Sequence, residues 1–333
     1  MSTTPGAPWR SLRRLRRSDE RLDCDLRHVA TAFTPPASST YPGEAVYGIS
    51  IWASPVIVTF HGVRGSTPCQ SDDIARHGGN TACVSVQSPG EQPLLFDLGT
   101  GLRYYAESMP SDEVFEGTCL LSHLHWDHVQ GLPFFKPLLR SGARLSIHAP
   151  AQFDGRHPGE VLLSTIRPPL FPISLDEFNG DVTIHCAKPQ FSVGSYVVHS
   201  GAVPHNGPMA GYRVERDDVS VTYISDHQQP DDPTTFADSV LELCRGVDLL
   251  IHDAQYTPSE FEQKRTWGHC TVEYAVSVAI AARVKRLALF HHDPYHDDDM
   301  VEQMAKTAQQ CAAAHGIEVF AAVEGTSIDL TAA

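Results

Sequence analysis

The run Ser122-His123-Leu124-His125-Trp126-Asp127-His128 puts three imidazoles and a carboxylate within six positions. That density of metal-donor side chains is unusual and forms a tight cluster. The apolar stretch Cys119–Leu121 leads into it and predicts a strand. Alternation along an extended segment points His123 and His125 the same way. A turn after them lets Asp127 and His128 face a neighbouring point. The pattern suits two adjacent ions. Mixed imidazole and carboxylate donors suit Zn²⁺ first, with Mn²⁺ or Fe²⁺ as alternatives.

Other elements must bring further donors to this cluster. From Pro55 onward, short apolar runs end at polar or Gly-rich loops. Val56–Phe60 ends at His61, Leu94–Phe96 at Asp97 and Tyr196–Val198 just before His205. Val219–Ile224 ends at Asp226, Leu249–Ile251 at His252-Asp253 and Leu287–Phe290 at His291. These runs predict strands. Leu132–Leu139 reads as helix-like. Thr271 is set to cap a helix whose apolar face holds Val272, Ala275, Val276, Ala279 and Ile280. A last helix follows Asp297–Asp299, runs through Val301, Met304, Ala305, Ala308 and Ala312, and stops at Gly316. The expectation is a mixed α/β chain with His and Asp at its strand ends.

The 333 residues carry a formal net charge of -15. Duplex and structured RNA binding depends on neutralising phosphates with Lys and Arg. The acidic balance therefore argues against a large nucleic acid as the main ligand. It leaves small anions open, because bound divalent cations reverse the local field. The eight Cys are scattered and none forms C-x-x-C, which predicts free thiols in a reducing compartment. Residues 1–53, with five Arg in Arg10–Arg17, are expected to form a basic extension, and 54–333 the domain that would carry any catalysis. No signal-peptide pattern and no membrane span are visible, so a cytoplasmic location is expected.

H-x-H-x-D-H resembles the signature of the metallo-β-lactamase superfamily. That resemblance implies an αββα sandwich, two mixed β-sheets flanked by helices. It covers roughly residues 56 to 330. Carried over residue by residue, it implies metal ligands at His123, His125, Asp127, His128, His205, Asp226 and His291, with Asp226 as the bridging carboxylate and Asp97 as a support. His291 and His292 are adjacent, and only one can continue the strand towards the metals. The expectation is His291, directly after the apolar run.

Three features resemble the branch holding ribonuclease Z and small-molecule cyclic phosphodiesterases. These are the loops Gly62–Pro68 and Arg76–Thr81, the short spacing from His205 to Asp226, and Asp253-Ala254-Gln255-Tyr256 followed by Trp267-Gly268-His269-Cys270-Thr271. Here Asp stands for the commoner Glu, and Cys270 for Ser. His269 lies just before a helix N-terminus, which favours phosphate. It can stabilise an oxyanion or protonate the leaving oxygen, with Asp253 orienting it. Arg64, Arg76 and His77 are candidate phosphate contacts. Trp126 and Trp267 read as packing groups.

The resulting expectation is a two-metal hydrolase of small phosphodiesters such as cyclic nucleotides, in which an activated water attacks phosphorus and Asp127, Asp253 and His269 serve catalysis. An RNA-processing endonuclease of ribonuclease Z type and a thioester or lactone hydrolase are the alternatives. The branch's precedent suggests a homodimer.

Overall fold

The computed structural model describes residues 54–110 and 113–332. The extension expected over 1–53 lies outside the described residues. Among these, fourteen strands form two seven-stranded sheets. The first sheet holds β1 (Ile57–Gly62), β2 (Cys83–Gln87), β3 (Leu94–Phe96), β4 (Glu116–Leu120), β5 (Arg144–Ala149) and β6 (Asp181–Cys186). The second runs through β7 (Gln190–Val193), β8 (Tyr196–Ala202), β9 (Ala210–Arg216), β10 (Val219–Ile224), β11 (Leu249–Asp253), β12 (Arg286–Phe290) and β13 (Glu318–Ala321). The chain then returns to the first sheet, where β14 (Ser327–Asp329) pairs with β1.

Each sheet changes character along its width. β1, β2 and β3 pair antiparallel, whereas β3 through β6 are parallel. Likewise β7 through β10 are antiparallel and β10 through β13 parallel. The central parallel strands are covered on both faces, which is why Leu249–Asp253 and Leu287–Phe290 are unbroken buried runs rather than alternating ones.

Between the sheets, Val58, Phe60, Val84 and Phe96 pack against Tyr212, Tyr223, Ile251 and Phe290. Phe96 and Tyr223 stack at 4.7 Å. Outside the first sheet lie α1 (Leu102–Ser108), α2 (Trp126–Val129) and α3 (Pro158–Thr165); outside the second lie α4 (Asp238–Cys244), α5 (Pro258–Lys264), α6 (Val272–Ala282) and α7 (Asp298–Ala312). The expected αββα sandwich is what the chain adopts.

Thr271 caps α6 by accepting from the Tyr274 amide at 3.2 Å, and the Asp297 carboxylate caps α7 by accepting from Met300 at 2.8 Å. After a short turn the chain leaves α7 at Gly316, whose φ is +71°. The helix-like reading of Leu132–Leu139 is corrected. Pro133 and Pro137 lack amide donors, and the segment splits into two 3-10 turns, Leu132–Phe134 and Lys136–Leu139. Cys69, Cys83, Cys119, Cys244, Cys270 and Cys311 are free thiols. No helix among the described residues is long and apolar enough to cross a membrane.

Candidate metal centre

The carboxyl ends of the parallel strands open towards one crevice, the usual place for a site in such sheets. Asp97 follows β3, and Ser122-His123 follows β4. His125 opens α2, which carries Asp127 and His128. His205 sits in the connection from β8 to β9, Asp226 two residues past β10, Asp253 at the end of β11, and His291 directly after β12. Asp97 and His291 have φ of +59° and +60°. Such left-handed conformations are costly for residues other than glycine and persist where the surroundings impose them. Here they turn the chain sharply at the strand ends.

The structure brings the seven metal-ligand candidates together in two groups that share Asp226. His123, His125, His205 and Asp226 form one; Asp127, His128 and His291 form the other. Asp226 Oδ2 lies 3.7 Å from His123 Nε2 and 3.9 Å from His205 Nε2. Its Oδ1 lies 3.2 Å from His128 Nε2 and 3.6 Å from His291 Nε2. One carboxylate thus turns an oxygen to each group. Asp127 Oδ2 is 3.2 Å from both His128 Nε2 and His291 Nε2. His292 takes no part, since its Nε2 bonds the Ala322 carbonyl at 3.0 Å.

The donor set fits cations. His123 Nε2 and Asp226 Oδ1 are buried without a hydrogen-bond partner, and such groups are costly to leave uncompensated. Donors that each lie ~2.0–2.1 Å from one tetrahedral ion sit about 3.3 Å apart, close to the spacings seen here. Burial pushes the His123 ring well below the ordinary histidine value and lowers His125 and His205 too, leaving lone pairs free at neutral pH. For His128 and His291 burial acts the same way, but the carboxylates of Asp127 and Asp226 outweigh it and raise both. A cation set between those rings and carboxylates would replace the protons they favour.

The far sides of the His128, His205 and His291 rings are fixed by partners, which orient the donor nitrogen. His128 Nδ1 bonds Asp97 Oδ2 at 2.7 Å, and the Asp97 carboxylate also accepts from the Tyr223 hydroxyl and from the Ser122 amide and hydroxyl. His205 Nδ1 bonds the Gly268 carbonyl at 2.8 Å, and His291 Nδ1 bonds Gln255 Oε1 at 3.2 Å. Two glycines make room for these rings. A Cβ on Gly65 would lie 2.4 Å from His291 Nδ1, and one on Gly268 would lie 2.5 Å from His205.

His269 and Asp253 also meet at this crevice. Asp253 accepts from His269 Nδ1 at 3.0 Å and from the His227 and Gln255 amides at 2.9 Å each. The His269 ring stacks on His291 at 4.9 Å. Its Nε2 is left for another partner. The neighbouring Cys270 thiol is buried and donates to the Asp253 carbonyl.

The phosphate-contact expectations for Arg64 and His77 are corrected. Arg64 is fully buried, and its guanidinium donates to the carbonyls of Gly78, Asp293 and His296 at 2.7–3.0 Å. His77 is buried beside His292, with Nδ1 3.2 Å from the Ala322 carbonyl. Both side chains are committed inside the fold. Arg76 is exposed but pairs with Asp299 and Glu302. Trp126 and Trp267 are not packing groups either, being 54% and 61% exposed. Ser66 and Gln255 join the site without being singled out by the sequence. Their signal is position, since Ser66 lies within Gly62–Pro68 and Gln255 within Asp253-Ala254-Gln255-Tyr256.

Arg64→Ala is expected to destabilise the chain by about 3–5 kcal/mol, because two buried carbonyls and a part-buried one lose their donor. Denaturant unfolding measures this. Wild-type stability together with a tenfold rise in KM would instead make Arg64 a substrate contact.

The fold and the double donor group define a class, the hydrolases of the metallo-β-lactamase fold. The chain belongs to the family described as the beta-lactamase superfamily domain, which matches residues 110–292, more than half of it. It is similar to the ribonuclease Z of Haloarcula marismortui, 25% identical over 285 residues that cover 70% of this chain and 85% of the relative. Among solved structures, the metallo-beta-lactamase fold protein YhfI from Bacillus subtilis superposes with a TM-score of 0.63 at 19% identity, covering 83% of this chain and 99% of that one. The short form of human tRNase Z gives 0.59 at 21%, covering 82% and 99%. The names of two of these proteins lean against the expectation that a large nucleic acid is not the main ligand. Net charge sums the whole surface and does not describe one groove.

Proposed function

We propose that the chain hydrolyses phosphodiesters, and that small ones such as cyclic nucleotides are its first substrate class. The observation that carries this reading is the Asp253–His269 pair placed beside the double donor group. His123, His125, His205 and Asp226 would hold one divalent ion, and Asp127, His128 and His291, with the other oxygen of Asp226, a second; zinc suits this donor set first, manganese or iron next. Two such ions supply Lewis acidity to phosphoryl oxygens and make water nucleophilic at neutral pH.

The chain's own residues do the rest. Asp97, Gly268 and Gln255 fix the ring orientations of His128, His205 and His291. In its doubly protonated form His269 keeps Nδ1–H on Asp253 and delivers the Nε2 proton to the departing oxygen. The same imidazolium lies where negative charge grows on the leaving group.

A panel of a cyclic nucleotide, an aryl phosphodiester, a precursor tRNA, a thioester and a lactone tests this, with metal content counted in parallel. The expected result is turnover of the first two at two ions per chain. Thioester or lactone turnover without phosphodiester turnover would sink the reading. RNA processing is the second reading, favoured by the names of the relatives. A precursor tRNA cleaved with kcat/KM some hundredfold above the cyclic nucleotide would put it first.

A further inference from the structure

We propose that Gln255, working through Ser66, is a positioning residue that sets the occupancy of the second metal group alone. This rests on the two-ion assignment made above. Gln255 lies just past β11 and is 2% exposed. Its side-chain amide bridges the loop that carries Ser66 and the turn that carries His291. Oε1 faces His291 Nδ1 at 3.2 Å, and Nε2 donates to Ser66 Oγ at 3.2 Å. Ser66 in turn donates its backbone amide to Asp127 Oδ2 at 2.7 Å. One strap therefore touches both His291 and Asp127.

The direction of the Gln255 amide follows from the chemistry. His291 must offer a lone pair on Nε2 to hold an ion, so its proton sits on Nδ1 and needs an acceptor. Only the amide oxygen can meet it, which turns the NH₂ group to Ser66. Both ends of the strap are held in unusual backbone. Ser66 has φ of +61° and His291 of +60°, and Gly65 lies against the His291 ring with no room for a Cβ. Arg64 anchors the same loop from inside through its bonds to Gly78, Asp293 and His296. The first group is built differently. His123 leans on Ser122 Oγ at 3.0 Å and His205 on a backbone carbonyl, and neither touches Gln255.

The test uses the full chain with Zn²⁺ as probe, dialysed against a chelator-buffered series. Wild type should take up two equivalents. Gln255→Leu, of similar size but without the amide, should keep one equivalent at wild-type affinity and bind the other some 10–100-fold more weakly. Gln255→Glu should restore it, since a carboxylate oxygen accepts from His291 and the other accepts from the Ser66 hydroxyl. With Co²⁺ in place of zinc, the absorption of one site should vanish in Gln255→Leu while that of the other stays.

A merely structural role would lower the melting temperature and weaken both equivalents together, and that result overturns the proposal. So does a Gln255→Leu chain that binds both ions as wild type does, or a folded Gln255→Glu chain that fails to recover the second. A wild type taking up fewer than two equivalents would remove the two-ion assignment itself. A two-equivalent wild type matched by Gln255→Leu would remove only the role of Gln255.

Discussion

Asp226→Asn is expected to reduce bound metal to below one equivalent per chain and to lower phosphodiester turnover by a factor on the order of 10³ or more. Among the described residues, Asp226 is the only one with an oxygen towards each donor group, so its replacement damages both at once. An amide keeps the shape but loses the charge, and its NH₂ end must face one of the two groups as a donor. That donor then opposes a cation. The carboxylate stays well below the ordinary aspartate range, because His291, His128, His123 and His205 overcome the burial that works against its charge. Metal analysis after dialysis, run beside an aryl phosphodiester assay, measures both effects. Two retained equivalents with near wild-type turnover would remove Asp226 from the centre of the site.

His269→Ala should act otherwise. Both ions should remain, while kcat falls by about 10²–10⁴-fold, the usual range for a positioned acid, and KM changes little. The leaving group gives a second readout. An aryl oxide departs without much help, so the aryl substrate should lose less than an alkyl or nucleoside ester does. Full turnover with both ions in place would show that His269 only packs against α6. Equal loss for good and poor leaving groups would assign it to the non-leaving phosphoryl oxygens rather than to the departing one.

The site was more legible in the sequence than the fold around it. His123 to His128 declare themselves because donor residues crowd one short stretch. His205, Asp226 and His291 are single letters, found through resemblance and through their place after apolar runs. Strands buried on both faces, such as β11 and β12, read as solid apolar runs in Leu249–Ile251 and Leu287–Phe290. The edge strand β6 does not, because Asp181–Cys186 alternates half-buried and exposed positions with Thr and His among them. Arg64 misled for a physical reason. An Arg in a Gly-rich loop near a phosphate-type site looks like a phosphate contact, but its three backbone acceptors come from segments 14 to 232 residues away, and their convergence is invisible in sequence. Gln255 lacks any charge to announce it and matters only because the fold sets it between His291 and Ser66.

Each donor group draws on both sheets. His123 and His125 come from the first and His205 and Asp226 from the second; Asp127 and His128 come from the first and His291 from the second. An ion held there is a cross-link between halves of the chain that are joined by backbone only at the β6–β7 connection and the β13–β14 return. Folding and metal supply become one equilibrium. Where the ion binds only the folded chain, each tenfold rise in free metal above its Kd adds about 1.4 kcal/mol per site to the stability of the sandwich. The concentration of a trace element thus becomes a variable in how long the polypeptide survives, quite apart from how fast it works.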